Sequence, residues 1–327
     1  MVLDLLSLIV LTVIGLFVLI KGANYLVEGA TDVARWLRVS PILVGLTIVA
    51  FGTSLPEFIV SLFSVIGNNS DISLGNIIGS NIANIGLVIG ISAIIISLSV
   101  KSQTLIYEFP FLIVSTFLLL ILGNDQFIFN KDTFILSRID GLILLTIFAF
   151  FLYYIYLSFK EDRKQVKEEF GKTLVHKNLP WKNFVLISGG IVALITGGKL
   201  FIGAAQKLIV ATGMSEAFLG LTIAAIGTSL PEVVTSIVAA WKKQGDLAIG
   251  NIVGSNIFNI LLVLGATSII KPININSSIL NSDGIVMLFL SLLFLVFATR
   301  KQNIYRKEGI LLLAIYLVYL TFVIWRL

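Results

Sequence analysis

Two glutamates, Glu57 and Glu232, close near-identical heptapeptides, FGTSLPE at 51–57 and IGTSLPE at 226–232, each inside an apolar stretch long enough to cross a bilayer. An acid at that depth costs several kcal/mol, about 2.5 to 3.5 on insertion scales, so it is expected to face a protein-lined or wet cavity. Ser54 and Thr53 precede Glu57 by three and four residues, and Ser229 and Thr228 stand likewise to Glu232. An intact helix would put each trio on one face. By the same spacing Asn76, Ser80 and Asn84 form one stripe, as do Asn251, Ser255 and Asn259. Pro56 has no N–H for the Gly52 carbonyl and Pro231 none for that of Gly227, so a helix break is expected at 52–54 and its counterpart. Backbone oxygens of Ala50, Phe51 or Gly52, and those near Ala225, would then need partners in the protein interior.

A bound cation would supply them. Two plainer alternatives stand beside it: a proline kink that only shapes packing, and acids paired with Lys21 or Lys199. The gathered groups are carboxylate, hydroxyl, amide and backbone oxygens, which suits a hard cation. Calcium takes six to eight oxygens in flexible geometry, magnesium dehydrates reluctantly, and transition metals favour imidazole or thiolate. Calcium, sodium, or both in turn fit this set. Two glutamates neutralise one calcium ion, and the same oxygens could hold several sodium ions instead. Exchange follows if the empty, doubly charged site is reluctant to reorient.

The elements that must carry these residues are membrane helices. Of 327 residues 57% are hydrophobic and 13% charged, and the mean hydropathy is +1.02, far outside the range of a soluble domain. There is no cysteine, and the single histidine, His176, reads as a loop residue. Thiolate, zinc and histidine acid–base chemistry therefore lose their raw material, and an enzyme is not expected. The apolar start of the chain carries Asp4 and lacks a basic leader, so it reads as a retained span and not a signal peptide.

At roughly 20 apolar residues per span, ten are expected, near 4–26, 41–66, 72–98, 104–122, 135–158, 182–208, 216–241, 247–270, 281–298 and 309–325. With the N-terminus outside, the inner connections collect most of the arginines and lysines, from Arg35 and Arg38 to Arg306 and Lys307, so both termini are expected outside. Residues 45–57 match 220–232 at all but two positions, and 75–85 match 250–260 at all but two, at a constant offset of 175. An odd number of spans per half makes the second repeat enter from the opposite face. The expected fold is thus an all-α integral membrane protein with ten transmembrane helices in two inverted-topology repeats of five, 1–158 and 181–327, joined by a charged cytoplasmic linker, 159–180. Glycine pairs at small-xxx-small spacing, Gly75 with Gly79, Gly86 with Gly90 and Gly250 with Gly254, are expected to bring the third and eighth spans against the second and seventh. Gly45 and Gly220 serve the same purpose or act as hinges.

On the paired motifs GTSLPE with GNIIGSNIAN and GTSLPE with GNIVGSNIFN, the chain resembles the calcium/cation antiporter superfamily, and within it the prokaryotic sodium/calcium exchangers. That resemblance spans essentially the whole chain. It implies that Glu57 and Glu232 are central acidic ligands shared by calcium and sodium, that Thr53, Ser54, Thr228, Ser229, Ser80 and Ser255 are hydroxyl ligands, that Ala50 and Ala225 give carbonyls, and that Asn84 and Asn259 fill the remaining central positions. It also implies that the first and sixth helices slide across the other eight. Asn259 departs from relatives with aspartate there, which removes a charge and a proton carrier and makes a potassium requirement less expected. The expected function is sodium-driven calcium export across the plasma membrane of a prokaryote, without a cofactor. Proton/calcium antiport is the alternative, and a cation channel fits the paired halves less well. Expected partners are the two ions and the lipid bilayer, not nucleic acid; a monomer is compatible with this plan.

Overall fold

In hydrocarbon the backbone must satisfy its own polar groups, and helices do so within one segment. The computed structural model describes residues 2–124, 134–170, 181–211 and 227–326, and is helical throughout apart from two short ladders. The helices are α1 Val2–Leu37, α2 Pro41–Thr53, α3 Leu55–Ile66, α4 Ser70–Ile95, α5 Thr104–Leu122, α6 Arg138–Phe170, α7 Trp181–Ala211, α8 Leu230–Trp241, α9 Gly245–Ile270, α10 Ile279–Arg300 and α11 Arg306–Arg326. Among the described residues eight are long and apolar enough to span a membrane, and the bent pair α2–α3 makes a ninth. Of the expected seventh span only α8 and the turn before it are described. The ladders pair β1 (Leu98–Ser99) with β4 (Asn303–Ile304), and β2 (Ile135–Leu136) with β3 (Ile273–Asn274), stitching one half of the chain to the other at its helix ends.

Burial sorts the helices into two shells. The most apolar windows of α9 and α4 are 94% and 78% buried, against 22% for α1 and α7 and 17% for α11, so α4 and α9 form the centre. Large apolar side chains such as Phe17, Phe63, Phe150 and Val318 face outward, whereas Glu57, Glu232 and asparagines of α4 and α9 are inside. That inversion of the soluble pattern fits lipid as the outer solvent. Two helices outrun their expected spans. Buried Val27, Ala30 and Ala34 carry α1 on to Leu37, and α6 continues through the charged run to Phe170. Asp162 of that extension accepts the Ser40 N–H at 2.8 Å, tying it to the start of α2.

Close backbone approach occurs chiefly between α1 and α7. A Cβ on Gly22 would lie 2.8 Å from the Leu194 nitrogen, one on Gly190 2.7 Å from that of Leu26, and one on Gly197 2.7 Å from that of Leu19. Gly15, Gly22 and Gly29 repeat every seven residues and keep this seam bare. The glycine pairs expected to seat the third and eighth spans divide differently. Gly250 and Gly254 do meet α2, at the Ile42 and Leu46 carbonyls, and Gly45 packs against the Leu247 carbonyl from the other side. Gly86 and Gly90, however, meet Tyr316 and Gly309 of α11, and a Cβ on Gly75 or Gly79 would touch nothing. Those last two border a cavity, so their small size leaves space and does not close a contact. Gly220 and His176 lie outside the described residues.

Candidate ion-binding site

Where Pro56 interrupts the bonding pattern, the chain bends by 45° between α2 and α3. Ser54 takes φ −83° and ψ 2°, and Ser229, before α8, takes φ −83° and ψ 1°. The bend undoes the expected sharing of a face: it turns each serine away from its own glutamate and toward that of the other half. Ser54 Oγ donates to Glu232 Oε1 at 3.1 Å, and Ser229 Oγ to Glu57 Oε1 at 3.2 Å. The neighbouring helix supplies a second donor within each half, Ser80 to Glu57 Oε1 at 3.4 Å and Ser255 to Glu232 Oε1 at 3.5 Å. Both carboxylates are fully buried.

Around this pair most side-chain interactions have a counterpart in the other half, 175 residues away in sequence. Thr53 Oγ1 donates to Asn251 Oδ1 at 3.1 Å and Thr228 Oγ1 to Asn76 Oδ1 at 2.8 Å. Asn76 and Asn251 in turn donate to Ser61 and Ser236 at 3.2 and 2.9 Å. Asn84 Nδ2 reaches Asn256 Oδ1 at 2.9 Å, and Asn259 Nδ2 reaches Asn81 Oδ1 at 3.0 Å. The helix becomes π-helical from Asn84 in α4 and from Phe258 in α9, a local rewinding that recurs at functional sites.

Among the described residues eight buried side-chain polar atoms lack a hydrogen-bond partner, and four of them are Glu57 Oε2, Glu232 Oε2, Asn84 Oδ1 and Asn259 Oδ1. Orphaned buried acceptors are costly and rare; two carboxylate and two amide oxygens at repeat-related positions form one acceptor set. No arginine or lysine pairs with either glutamate among the described residues: Lys21 lies over the Phe17 ring at 5.6 Å, and Lys199 lines the cavity. Nor do three His, Cys, Asp or Glu side chains converge anywhere among them, so any cation held here sits on two carboxylates with neutral oxygens.

Of the residues singled out in the sequence, Thr53, Ser54, Glu57, Ser80, Asn84, Ser229, Glu232, Ser255 and Asn259 are all buried in this core. Thr228 is half-buried and meets Asn76. Ala50 is buried, and its carbonyl accepts the Ser54 N–H at 3.0 Å; the Thr53 hydroxyl lies 3.3 Å from it but has one proton, which the nearer Asn251 Oδ1 also accepts. The helix stays intact to Thr53. Ala225 lies outside the described residues. Ser61 and Ser236 were not singled out, although both follow their glutamate by four residues in each half. One side of the core opens into a cavity of about 610 Å³ bordered by Asn76, Thr228, Gly79, Pro56, Pro231 and Tyr316. Thr53 and Asn251, the counterparts of Thr228 and Asn76, are closed off at 0% and 1% exposure.

Residues 7–157 and 182–325 match the family model described as sodium/calcium exchanger protein. The chain is 38% identical to the putative antiporter CaxA of Alkalimonas amylolytica over 95% of its own length and 96% of the relative's. It is 30% identical to the sodium/calcium exchanger MaX1 of Methanosarcina acetivorans, over 94% and 95%. The fold is similar to that of the sodium-calcium exchanger NCX_Mj, with a TM-score of 0.81 and 32% identity, covering 98% of this chain and 99% of that one.

Proposed function

The chain belongs to the sodium/calcium exchanger protein family, and from that premise we propose that it exports calcium in exchange for sodium by alternating access. The observation that carries this reading is the pair of buried glutamates whose free oxygens meet neither a donor nor a lysine or arginine among the described residues. Calcium or sodium would take the place of those donors. Glu57 and Glu232 are the charged ligands, with Asn84 and Asn259 as neutral oxygens beside them. Thr53, Ser54, Ser80, Thr228, Ser229 and Ser255, with the carbonyl of Ala50, exchange present hydrogen bonds for metal contacts as ions load, and the carbonyl of Ala225 completes the coordination. One calcium neutralises the two charges, and sodium ions compete for the same oxygens.

Ten membrane helices in two inverted repeats, 1–158 and 181–327, with a cytoplasmic linker at 159–180 and both termini outside a prokaryotic plasma membrane, fit the doubled interactions and the charge distribution. In that orientation the cavity opens outward. The seam of α1 and α7, kept bare by glycines, supports their sliding as one unit across the central helices, which would close this cavity and open the Thr53–Asn251 side. In proteoliposomes an imposed sodium gradient is expected to drive uptake of labelled calcium, and no sodium dependence at any pH would refute sodium coupling. The orphaned carboxylate oxygens would hold protons equally well. Calcium flux driven by a pH gradient without sodium would identify proton/calcium antiport, and flux without any counter-ion a channel.

A further inference from the structure

We propose that Asn81 and Asn256, which have no place in the ligand set, are positioning residues that fix which way the amides of Asn84 and Asn259 face, and so set the affinity for calcium. The inference rests on the reading of the core as an ion site. Its basis is a closed exchange of hydrogen bonds between α4 and α9. Asn256 Nδ2 donates to the backbone carbonyl of Asn81 at 3.4 Å, and Asn81 Nδ2 to that of Asn256 at 3.2 Å. A backbone carbonyl only accepts, so each of these amides must turn its nitrogen toward it. That turns Asn256 Oδ1 toward Asn84 and Asn81 Oδ1 toward Asn259, where they accept the Nδ2 groups at 2.9 and 3.0 Å. Asn84 and Asn259 are thereby left with Oδ1 as the free end, and both atoms are buried without a partner.

Flipping Asn84 would set its oxygen against the Asn256 oxygen and present an NH2 group where a cation is to bind. All four side chains are at most 1% exposed, so no bulk solvent eases the flip. An asparagine can be a neutral ligand only when its oxygen leads, and here the direction is imposed from the backbone of the opposite half. Partners one step behind a metal ligand commonly change metal affinity by about 10- to 100-fold when removed.

Titration calorimetry of calcium into the purified, detergent-solubilised full chain tests this. Asn81→Leu and Asn256→Leu, which remove the acceptor, are expected to weaken calcium binding roughly ten-fold or more. Asn81→Asp, which keeps an acceptor for the Asn259 amide and, with two like oxygens, needs no Nδ2 donation to the Asn256 carbonyl to present one, is expected to bind calcium no more than about three-fold more weakly than wild type, a rescue that mere loss of packing would not show. In an Asn259→Ala background, where no amide remains to be oriented, adding Asn81→Leu should cost less than about two-fold. Should Asn81→Leu fail to fold, Asn81→Ser takes its place in both arms. Unchanged affinity in Asn81→Leu, or an undiminished effect in the Asn259→Ala background, overturns the positioning role while calcium binding by wild type and its loss in Glu57→Gln leave the site reading standing. Absence of calcium binding in wild type overturns both.

Discussion

Replacing Glu57 by glutamine removes one charge at nearly constant shape. Glu57 Oε1 accepts from Ser229 at 3.2 Å and Ser80 at 3.4 Å, bonds that an amide oxygen can keep. The new NH2 then falls at Oε2, the oxygen with no donor. Two unit charges about 4 Å apart interact by about 4 kcal/mol at an effective dielectric of 20, so a divalent ion forfeits about 8 and a monovalent ion about 4. Relief of repulsion between the two acids and local rearrangement offset part of this. If they offset half, calcium affinity falls by about 4 kcal/mol, close to a thousand-fold, and sodium affinity by about 2, near thirty-fold. Thermal unfolding in detergent reads both. At a concentration 100 times its dissociation constant calcium should stabilise the wild type by about 2.7 kcal/mol, and the same concentration should stabilise Glu57→Gln by less than about 0.1. In ion-free buffer the variant should melt no lower than wild type, since it loses a buried like-charge pair. A calcium-dependent rise at wild-type concentrations would refute the assignment of Glu57 as ligand; equal losses for calcium and sodium would refute the charge argument.

Other outcomes follow from the packing. Gly22→Leu drives a side chain into the α7 backbone, where even a Cβ would be 2.8 Å from the Leu194 nitrogen, and should lower stability by about 1–3 kcal/mol or more in a melting curve. Gly198→Ala, whose Cβ would meet only the end of Leu19 at 3.8 Å, should be nearly neutral. At Gly79, which borders the cavity, an added Cβ would meet nothing within 4 Å, so Gly79→Phe should fill cavity space and lower calcium flux with little change in melting temperature. Arg326→Ala leaves Asp283, with 7% of its side chain exposed, without the partner it holds at 2.9 Å, and should cost on the order of 2 kcal/mol, between the values for exposed and buried pairs.

The repeat at an offset of 175, the apolar lengths and the burial of two acids beside hydroxyls and amides were all legible, because they depend on residue identity and on spacing along one segment. Ser61 and Ser236, and the asparagines at 81 and 256, carried a signal too, since each recurs in both halves. Asn81 and Asn256 stand three residues before Asn84 and Asn259, within reach on the same helix, but the i, i+4 stripe of Asn76, Ser80 and Asn84 and its counterpart does not include them. The glycine spacing of α1 at 15, 22 and 29 was likewise present, but a spacing alone does not name the partner helix, as Gly75 and Gly79 demonstrate by touching nothing.

From the chain alone came the chemistry available: all-oxygen donors, two negative charges, and a backbone weakened by proline in both halves. Tertiary structure alone decided who meets whom. Ser54 serves Glu232 and not Glu57 because the bend after Thr53 rotates it out of the face that an unbroken helix would share, and the amides lead with oxygen because a carbonyl from the opposite half accepts their neighbours' hydrogens. Periodicity fixes relations within a helix; the relations across the two halves depend on how the helices cross, and no local spacing encodes that.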